Sequence, residues 1–129
     1  MFFTFLAVIG ATVIYMGIGM LWYSIFGSFW AKAYDLDMST LETRPVDMAA
    51  AIVVALLVSC GLTYFITATA SNTLIDGMRI GFLTWLFLIV PTQFSEVIWR
   101  KRPLRGYVID IVCFAVTLVV MGGFIGVLV

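Results

Sequence analysis

The chain has 129 residues, of which 64% are hydrophobic and 11% are charged, and its formal net charge is zero. A soluble domain has about 45–50% apolar and about 25% charged residues, so the composition favours an integral membrane protein. The zero net charge gives no footprint for nucleic acid, and the absence of histidine excludes histidine-based catalysis and most zinc sites. We therefore predict no nucleic-acid partner, no metal and no cofactor.

Four apolar segments predict an all-α fold, an integral membrane bundle of four transmembrane helices in a single domain. The segments cover roughly residues 2–29, 46–70, 77–99 and 106–129. Each is longer than the ~20 residues that a helix needs to cross a ~30 Å hydrocarbon core. Cys60 and Cys113 lie inside these segments and are expected to be free thiols, because buried cysteine behaves as a small hydrophobic residue.

The first segment ends in an aromatic stretch, which reads WYSIFGSFW over residues 22–30. About 20 residues of helix reach from Phe2 to the membrane interface, where rings with one polar atom are enriched. The stretch therefore predicts a group of interfacial aromatic anchors, namely Trp22, Tyr23, Phe26 and Trp30. The alternative is a platform on which a ligand stacks.

The basic residues predict the orientation of the bundle. The connections 31–45 and 100–105 contain six of the seven Lys and Arg residues, and only Arg79 lies on the other side. The positive-inside rule then makes both connections cytoplasmic and places the N-terminus and the C-terminus on the outer side. Thr43 and Pro45 predict the start of the second helix, since proline is favoured in a first turn.

Asp110 is the first candidate for a functional site. It is a carboxylate inside the fourth segment, with no basic residue three or four positions away. Charges inside a membrane are costly and are functional candidates by default. Two interpretations stay open: a proton or cation site, or a structural group that makes a buried hydrogen bond or pairs with a loop arginine. Asp47 and Glu96 are predicted on the same membrane side, where convergence with Asp110 would form an acidic vestibule.

Pro91 and Gln93 interrupt the third segment in the sequence LIVPTQFSE. A proline has no N–H for the helix, and the carbonyl that it frees can coordinate an ion where it lines a cavity. Gln93 and Glu96 therefore join Asp110 as candidates for an ion, proton or polar-network site. Nearby polar side chains that satisfy the broken backbone are the structural alternative. Glu96 stands four residues before Arg100, which predicts an ion pair worth about 0.2–0.5 kcal/mol.

Small residues indicate where helices pack closely. Gly17 lies in the first segment, and Gly122 and Gly126 form a Gly-x-x-x-Gly motif in the fourth. Such residues let two helix backbones approach each other, which is a main route to association in lipid. Packing within the chain and association between chains both stay open.

Two stretches resemble a known family. Residues 19–34, GMLWYSIFGSFWAKAY, resemble the signature of DUF1761, a family of small bacterial membrane proteins of unknown function, with a glycine, then Trp-Tyr-Ser, then Phe-Gly and a Trp. Residues 102–126, RPLRGYVIDIVCFAVTLVVMGGFIG, resemble the last helix of that family. Ile25 stands where many members have a proline. The resemblance implies a four-helix domain in the bacterial cytoplasmic membrane and brings no established activity.

The sequence favours a non-enzymatic membrane protein that acts through helix packing, as a homo-oligomer or as an accessory subunit of a larger membrane complex. Its expected partners are the lipid bilayer and either itself or other membrane subunits. The alternative is a small ion or solute transporter or channel, with Asp110, Glu96 and Gln93 near its pathway. A membrane enzyme is least favoured, because the sequence has no recognisable nucleophile–base pair, metal cluster or phosphate loop.

Overall fold

A computed structural model describes residues 2–34 and 45–129 of the chain, and this part is helical without a strand. The helices are α1 (Phe2–Ala33), α2 (Pro45–Ala68), α3 (Leu74–Thr84), α4 (Val90–Trp99) and α5 (Leu104–Leu128), with a π-helical turn (Trp85–Ile89) between α3 and α4. Together α3, the π-helical turn and α4 form one span, so four spans are long and apolar enough to cross a membrane. The predicted all-α fold of four spans is confirmed, and the orientation of the termini stays a prediction.

The observed helix ends differ from the predicted ones by a few residues. Helix α1 continues to Ala33 because the sequence Ala-Lys-Ala, at its end, consists of good helix formers. Helix α3 begins earlier than predicted, because the Thr73 side chain accepts a hydrogen bond from the Asp76 N–H at 3.1 Å and caps it. Pro45 is the first residue of α2, as predicted, whereas Thr43 lies outside the described residues.

The third span contains the irregularity that Pro91 predicts. The Val90 N–H donates to the carbonyl of Trp85, which gives the wider π-helical turn directly before Pro91. A wider turn suits a proline, whose ring crowds the preceding turn and which has no N–H to donate. Hydrogen bonds join this turn and the first residue of α4 to α5. Trp85 Nε1 donates to the Ile111 carbonyl at 2.8 Å, and the Tyr107 hydroxyl donates to the Val90 carbonyl at 3.1 Å.

Helix α5 is the most buried of the four spans, and the other helices pack around it. It runs antiparallel to α1, because Gly10 lies against Phe124 near one end and Tyr23 contacts Asp110 near the other. The first of these ends, here called the apolar end, contains the main core, which consists of Ala7, Ala11, Leu62, Ile66, Leu118, Met121 and Ile125.

Helices α3 and α5 meet backbone to backbone at the apolar end. A Cβ at Gly122 would collide with the Gly77 carbonyl, and a Cβ at Gly126 would collide with the Thr73 carbonyl. Gly77 and Gly81 form a second Gly-x-x-x-Gly motif, which the sequence analysis missed and which faces the first. The motif of α5 therefore packs within the chain, against α3, and both helices contribute glycines to the contact.

Gly17 behaves differently from the glycines of α5. It is exposed, and no atom of the described residues lies within 4 Å of the position that a Cβ would occupy. Packing against the described part of the chain therefore does not account for Gly17. Its association with another chain stays a prediction.

Candidate functional site

The opposite end of the bundle, here called the polar end, is organised around Asp110. This residue is 8% exposed, and its carboxylate accepts hydrogen bonds from three side chains. The Tyr23 hydroxyl of α1 donates to one oxygen, while the Tyr34 hydroxyl at 2.9 Å and Arg102 Nη2 at 2.8 Å donate to the other. We call Tyr23, Tyr34, Gln93, Arg102 and Asp110 the clamp, because they join α1, α4, α5 and the connection before α5.

Arg102 binds three other members of the clamp, namely Asp110, Tyr34 and Gln93. In addition to its ion pair with Asp110, its Nε donates to the Tyr34 hydroxyl at 3.2 Å and its Nη1 donates to Gln93 Oε1 at 3.2 Å. Its Cζ atom lies 5.3 Å from the centre of the Tyr34 ring, within the range of a cation–π interaction. Lys101, directly before it, has a left-handed backbone with φ of 58° in the turn between α4 and α5.

The surroundings of the clamp keep the Tyr34 hydroxyl protonated and the Arg102 guanidinium charged. Burial is the largest cause that raises the pKa of Tyr34; the hydrogen bond with Arg102 opposes this rise, and the bond to Asp110 adds to it. Burial alone would lower the pKa of Arg102, but its contacts with Tyr34 and the nearby charge of Asp110 outweigh that effect and raise it. Tyr34 is therefore a proton donor at neutral pH, and Arg102 is a cation.

One face of α1 places both tyrosines over Asp110. Tyr23, Trp30 and Tyr34 recur at helical spacing, so their side chains lie on one side. The Trp30 ring lies between them, with its centre 5.8 Å from that of Tyr23 and 5.2 Å from that of Tyr34. Gly106 of α5 makes room for this arrangement, since a Cβ there would collide with the Tyr34 ring. Tyr23 and Trp30, predicted as anchors, thus contribute to contacts inside the protein.

The other two predicted anchors form a separate pair. Trp22 and Phe26 are half-buried, and their ring centres lie 4.7 Å apart. Trp22 Nε1 is buried and has no hydrogen-bond partner among residues 2–34 and 45–129, whereas an interfacial anchor would direct this atom towards the polar boundary. The anchor interpretation does not account for that atom.

The structure brings two of the three predicted polar-site residues together. Gln93 and Asp110 both bind Arg102, so they belong to one network. Glu96 makes the predicted ion pair with Arg100 at 3.2 Å, but its side chain makes no hydrogen bond to the clamp. Arg100 is 77% exposed, and a pair so open to the surroundings contributes little to stability. Asp47 lies in the first turn of α2.

The clamp is chemically suited to holding helices together. A carboxylate has about four lone-pair positions, and at Asp110 three of them already accept from Tyr23, Tyr34 and Arg102. Among residues 2–34 and 45–129, no group of three Cys, Asp or Glu side chains is placed to hold a metal ion. Cys60 and Cys113 are both free, as predicted.

The ion pair of Asp110 with Arg102 agrees with the alternative that Asp110 pairs with a loop arginine, but the sequence did not indicate which arginine, and Tyr34 was missed as a member of the site. Arg102 was one of four basic residues predicted in the connection 100–105, and it lies about two helical turns before Asp110. Tyr34 falls beyond the predicted end of the first helix. Its spacing from Tyr23 and Trp30 was the available signal, since residues at that spacing share a helix face.

Comparison with known proteins gives one match. The family model described as a protein of unknown function, DUF1761, matches residues 6–126, a range that includes every member of the clamp and at least part of all four spans. No curated protein and no solved structure matches the chain. The chain therefore belongs to the DUF1761 family, whose function is unknown.

Proposed function

We propose that this protein is a non-enzymatic membrane protein that acts through helix packing, either as a homo-oligomer or as an accessory subunit of a larger membrane complex. One observation carries the proposal. The nearly buried Asp110 is bound by Arg102, Tyr23 and Tyr34, so the polar groups of the bundle serve to hold its own helices.

A proton or ion carrier needs a carboxylate that exchanges its partner easily. Asp110 is instead paired with a permanent cation, because the guanidinium of Arg102 keeps its proton at any physiological pH. Removing either member would leave a poorly solvated charge, which makes the pair costly to open. These contacts favour a structural role for the site.

Helix faces that are exposed in the described part of the chain support association with other helices. Neither the π-helical turn nor α4 has a buried residue. On α1, Gly17, Ser24 and Ser28 are all exposed, and their spacing puts them on one side of the helix. Small and hydroxyl-bearing residues on a membrane-exposed face are typical of contacts between membrane helices.

A second candidate function is transport of an ion or solute with Asp110 on the pathway. A cavity of about 120 Å³ lies between α1 and α5, and it is lined by Tyr15, Tyr23, Cys113 and Thr117, among others. Tyr23 links this cavity to Asp110, and polar atoms around a space of that size are suited to holding water. The cavity is the observation that favours this alternative.

The primary test is gentle extraction of the tagged protein from its native membrane, followed by native mass spectrometry. A homo-oligomer or a stoichiometric larger partner is expected, and a monomer with no partner across mild detergents would contradict the proposal. Gly17→Leu should weaken the assembly if the open face of α1 forms the contact. Gly61→Leu is the matched control, since an added Cβ at Gly61 on α2 also has no described atom within 4 Å.

Reconstituted vesicles separate the two candidate functions. Wild type and Asp110→Asn are compared for proton and cation flux at equal protein content, with folding checked by circular dichroism. The helix-packing proposal expects no specific flux from either protein and lower stability in the variant. Flux in the wild type that the folded variant loses would favour transport.

A further inference from the structure

A groove of about 470 Å³ lies beside the clamp, between the C-terminal end of α1 and the N-terminal end of α5. Its walls include Phe29, Leu104 and Val108, and two cationic side chains, Lys32 and Arg105, border it. The three apolar side chains are 63%, 59% and 48% exposed, so no other part of the described chain covers them. The groove thus combines an apolar floor with a cationic rim.

The two cations of the groove are available to a ligand. Neither Lys32 nor Arg105 forms an ion pair within residues 2–34 and 45–129, whereas Arg102 nearby is paired with Asp110. No acidic side chain of that part of the chain lines the groove. The positive charge at this place is therefore not neutralised by the described residues.

Position along the spans identifies the kind of molecule that fits. Lys32 lies in the last turn of α1 and Arg105 in the first turn of α5, so both lie at the end of a span that is long and apolar enough to cross a membrane. The exposed ring of Phe29 and the exposed side chain of Val108 lie about one turn farther from the ends of these spans. Basic pockets between membrane helices at this level bind anionic headgroups.

We propose that this groove binds one anionic glycerophospholipid, with its phosphate between Lys32 and Arg105 and one acyl chain along Phe29 and Val108. Charge complementarity selects the headgroup, and the apolar walls require a molecule that also has a hydrocarbon tail. A soluble phosphate compound would leave these walls uncovered. The site is independent of the proposed helix-packing function, because it uses neither the clamp nor the open face of α1.

The test measures lipid retention by native mass spectrometry of the full chain in detergent, titrated with phosphatidylglycerol or with phosphatidylcholine. The wild type is expected to retain one phosphatidylglycerol at least tenfold more strongly than phosphatidylcholine. The double variant Lys32→Gln/Arg105→Gln should lose this preference. Val108→Trp should lower retention about tenfold with both cations in place, because the indole fills the groove.

The double variant Arg79→Gln/Lys101→Gln is the control, since it removes the same charge from exposed sites outside the groove. The melting temperature of each variant is measured in the same detergent, and Val108→Trp provides a test that does not depend on the charge variants. Equal loss in the control, equal retention of phosphatidylcholine, or undiminished retention by folded Val108→Trp would overturn the proposal. Full competition by glycerol 3-phosphate would also overturn it, because a lipid tail would then be unnecessary.

Discussion

The two ends of the bundle hold α5 in place by different physical means. At the apolar end, glycines of α3 and α5 bring two backbones into contact, and small side chains such as Ala7 and Ala11 fill the core. At the polar end, two tyrosine hydroxyls from the α1 side bind Asp110 of α5, and an ion pair joins Asp110 to Arg102 in the connection before α5. The same helix is thus fixed by shape at one end and by hydrogen bonds at the other.

Lipid competes with these two kinds of contact unequally. Acyl chains offer an apolar side chain nearly the same surroundings as a neighbouring helix, so the apolar end depends on close fit. Acyl chains offer no hydrogen bond, so the polar end depends on keeping every donor and acceptor paired. Adding atoms at the apolar end should therefore lower the stability of the protein, and so should removing polar atoms at the polar end.

The largest effect is expected when the cation of the polar end is removed. Arg102→Leu leaves the Asp110 carboxylate, 11% exposed as a side chain, with tyrosine donors alone. Breaking a buried pair costs about 3–5 kcal/mol, and the partial exposure of Arg102 places the expected loss near the lower value. Unfolding in mixed micelles by sodium dodecyl sulfate measures it.

Arg100→Leu is the control for this variant. It removes an arginine from an exposed ion pair with Glu96, and the expected loss is below about 1 kcal/mol. Equal losses from Arg102→Leu and Arg100→Leu would mean that the polar end has no special role in stability.

The apolar end is tested by adding one carbon atom. The new Cβ in Gly122→Ala would collide with the Gly77 carbonyl, so α3 and α5 must separate at a cost of about 1–3 kcal/mol. Thermal unfolding followed by circular dichroism detects this loss. Gly17→Ala adds the same atom in open space and should be neutral or slightly stabilising. A neutral Gly122→Ala would contradict the backbone contact.

Removing one hydroxyl from the clamp should have a smaller effect. Tyr34→Phe deletes a donor to Asp110 and an acceptor for Arg102 but keeps the ring that packs on Gly106. Hydrogen bonds to charged groups contribute about 1.5–3 kcal/mol, and the lower value is expected because the other donors remain. Tyr64→Phe, on an exposed side chain of α2, is the matched control and should leave stability unchanged in the same unfolding assay.

The smallest change in stability is expected in the turn after α2, away from the contacts that hold the two ends of α5. Ala70 has a left-handed backbone with φ of 53°, and the following Ser71 N–H donates to the Ile66 carbonyl at 2.9 Å. Glycine adopts this conformation without strain, so Ala70→Gly should stabilise the protein by about 1 kcal/mol. Ala68→Gly, within the helix, should instead destabilise it. A melting temperature that falls in both variants would contradict this account of the turn.

The four spans could be predicted because a bilayer requires long apolar helices, and their length and composition are local properties of the sequence. The motif at Gly122 and Gly126 was equally visible, but its partner at Gly77 was not, because no local pattern tells which helices are neighbours. Asp110 was identified as a candidate site residue because a charged side chain is costly inside a membrane. Its partner Arg102 lies eight residues away and across a proline, outside the spacing at which helical side chains are expected to pair.

A double-mutant cycle on Arg102 and Asp110 tests the central claim that these residues act as one structural unit. The free energy of unfolding is measured for the wild type, Arg102→Leu, Asp110→Leu and the double variant. A coupling of about 2 kcal/mol is expected, with the double variant more stable than the sum of the single losses predicts. Additive losses with a coupling near zero would contradict the claim, because the two side chains would then contribute to stability independently.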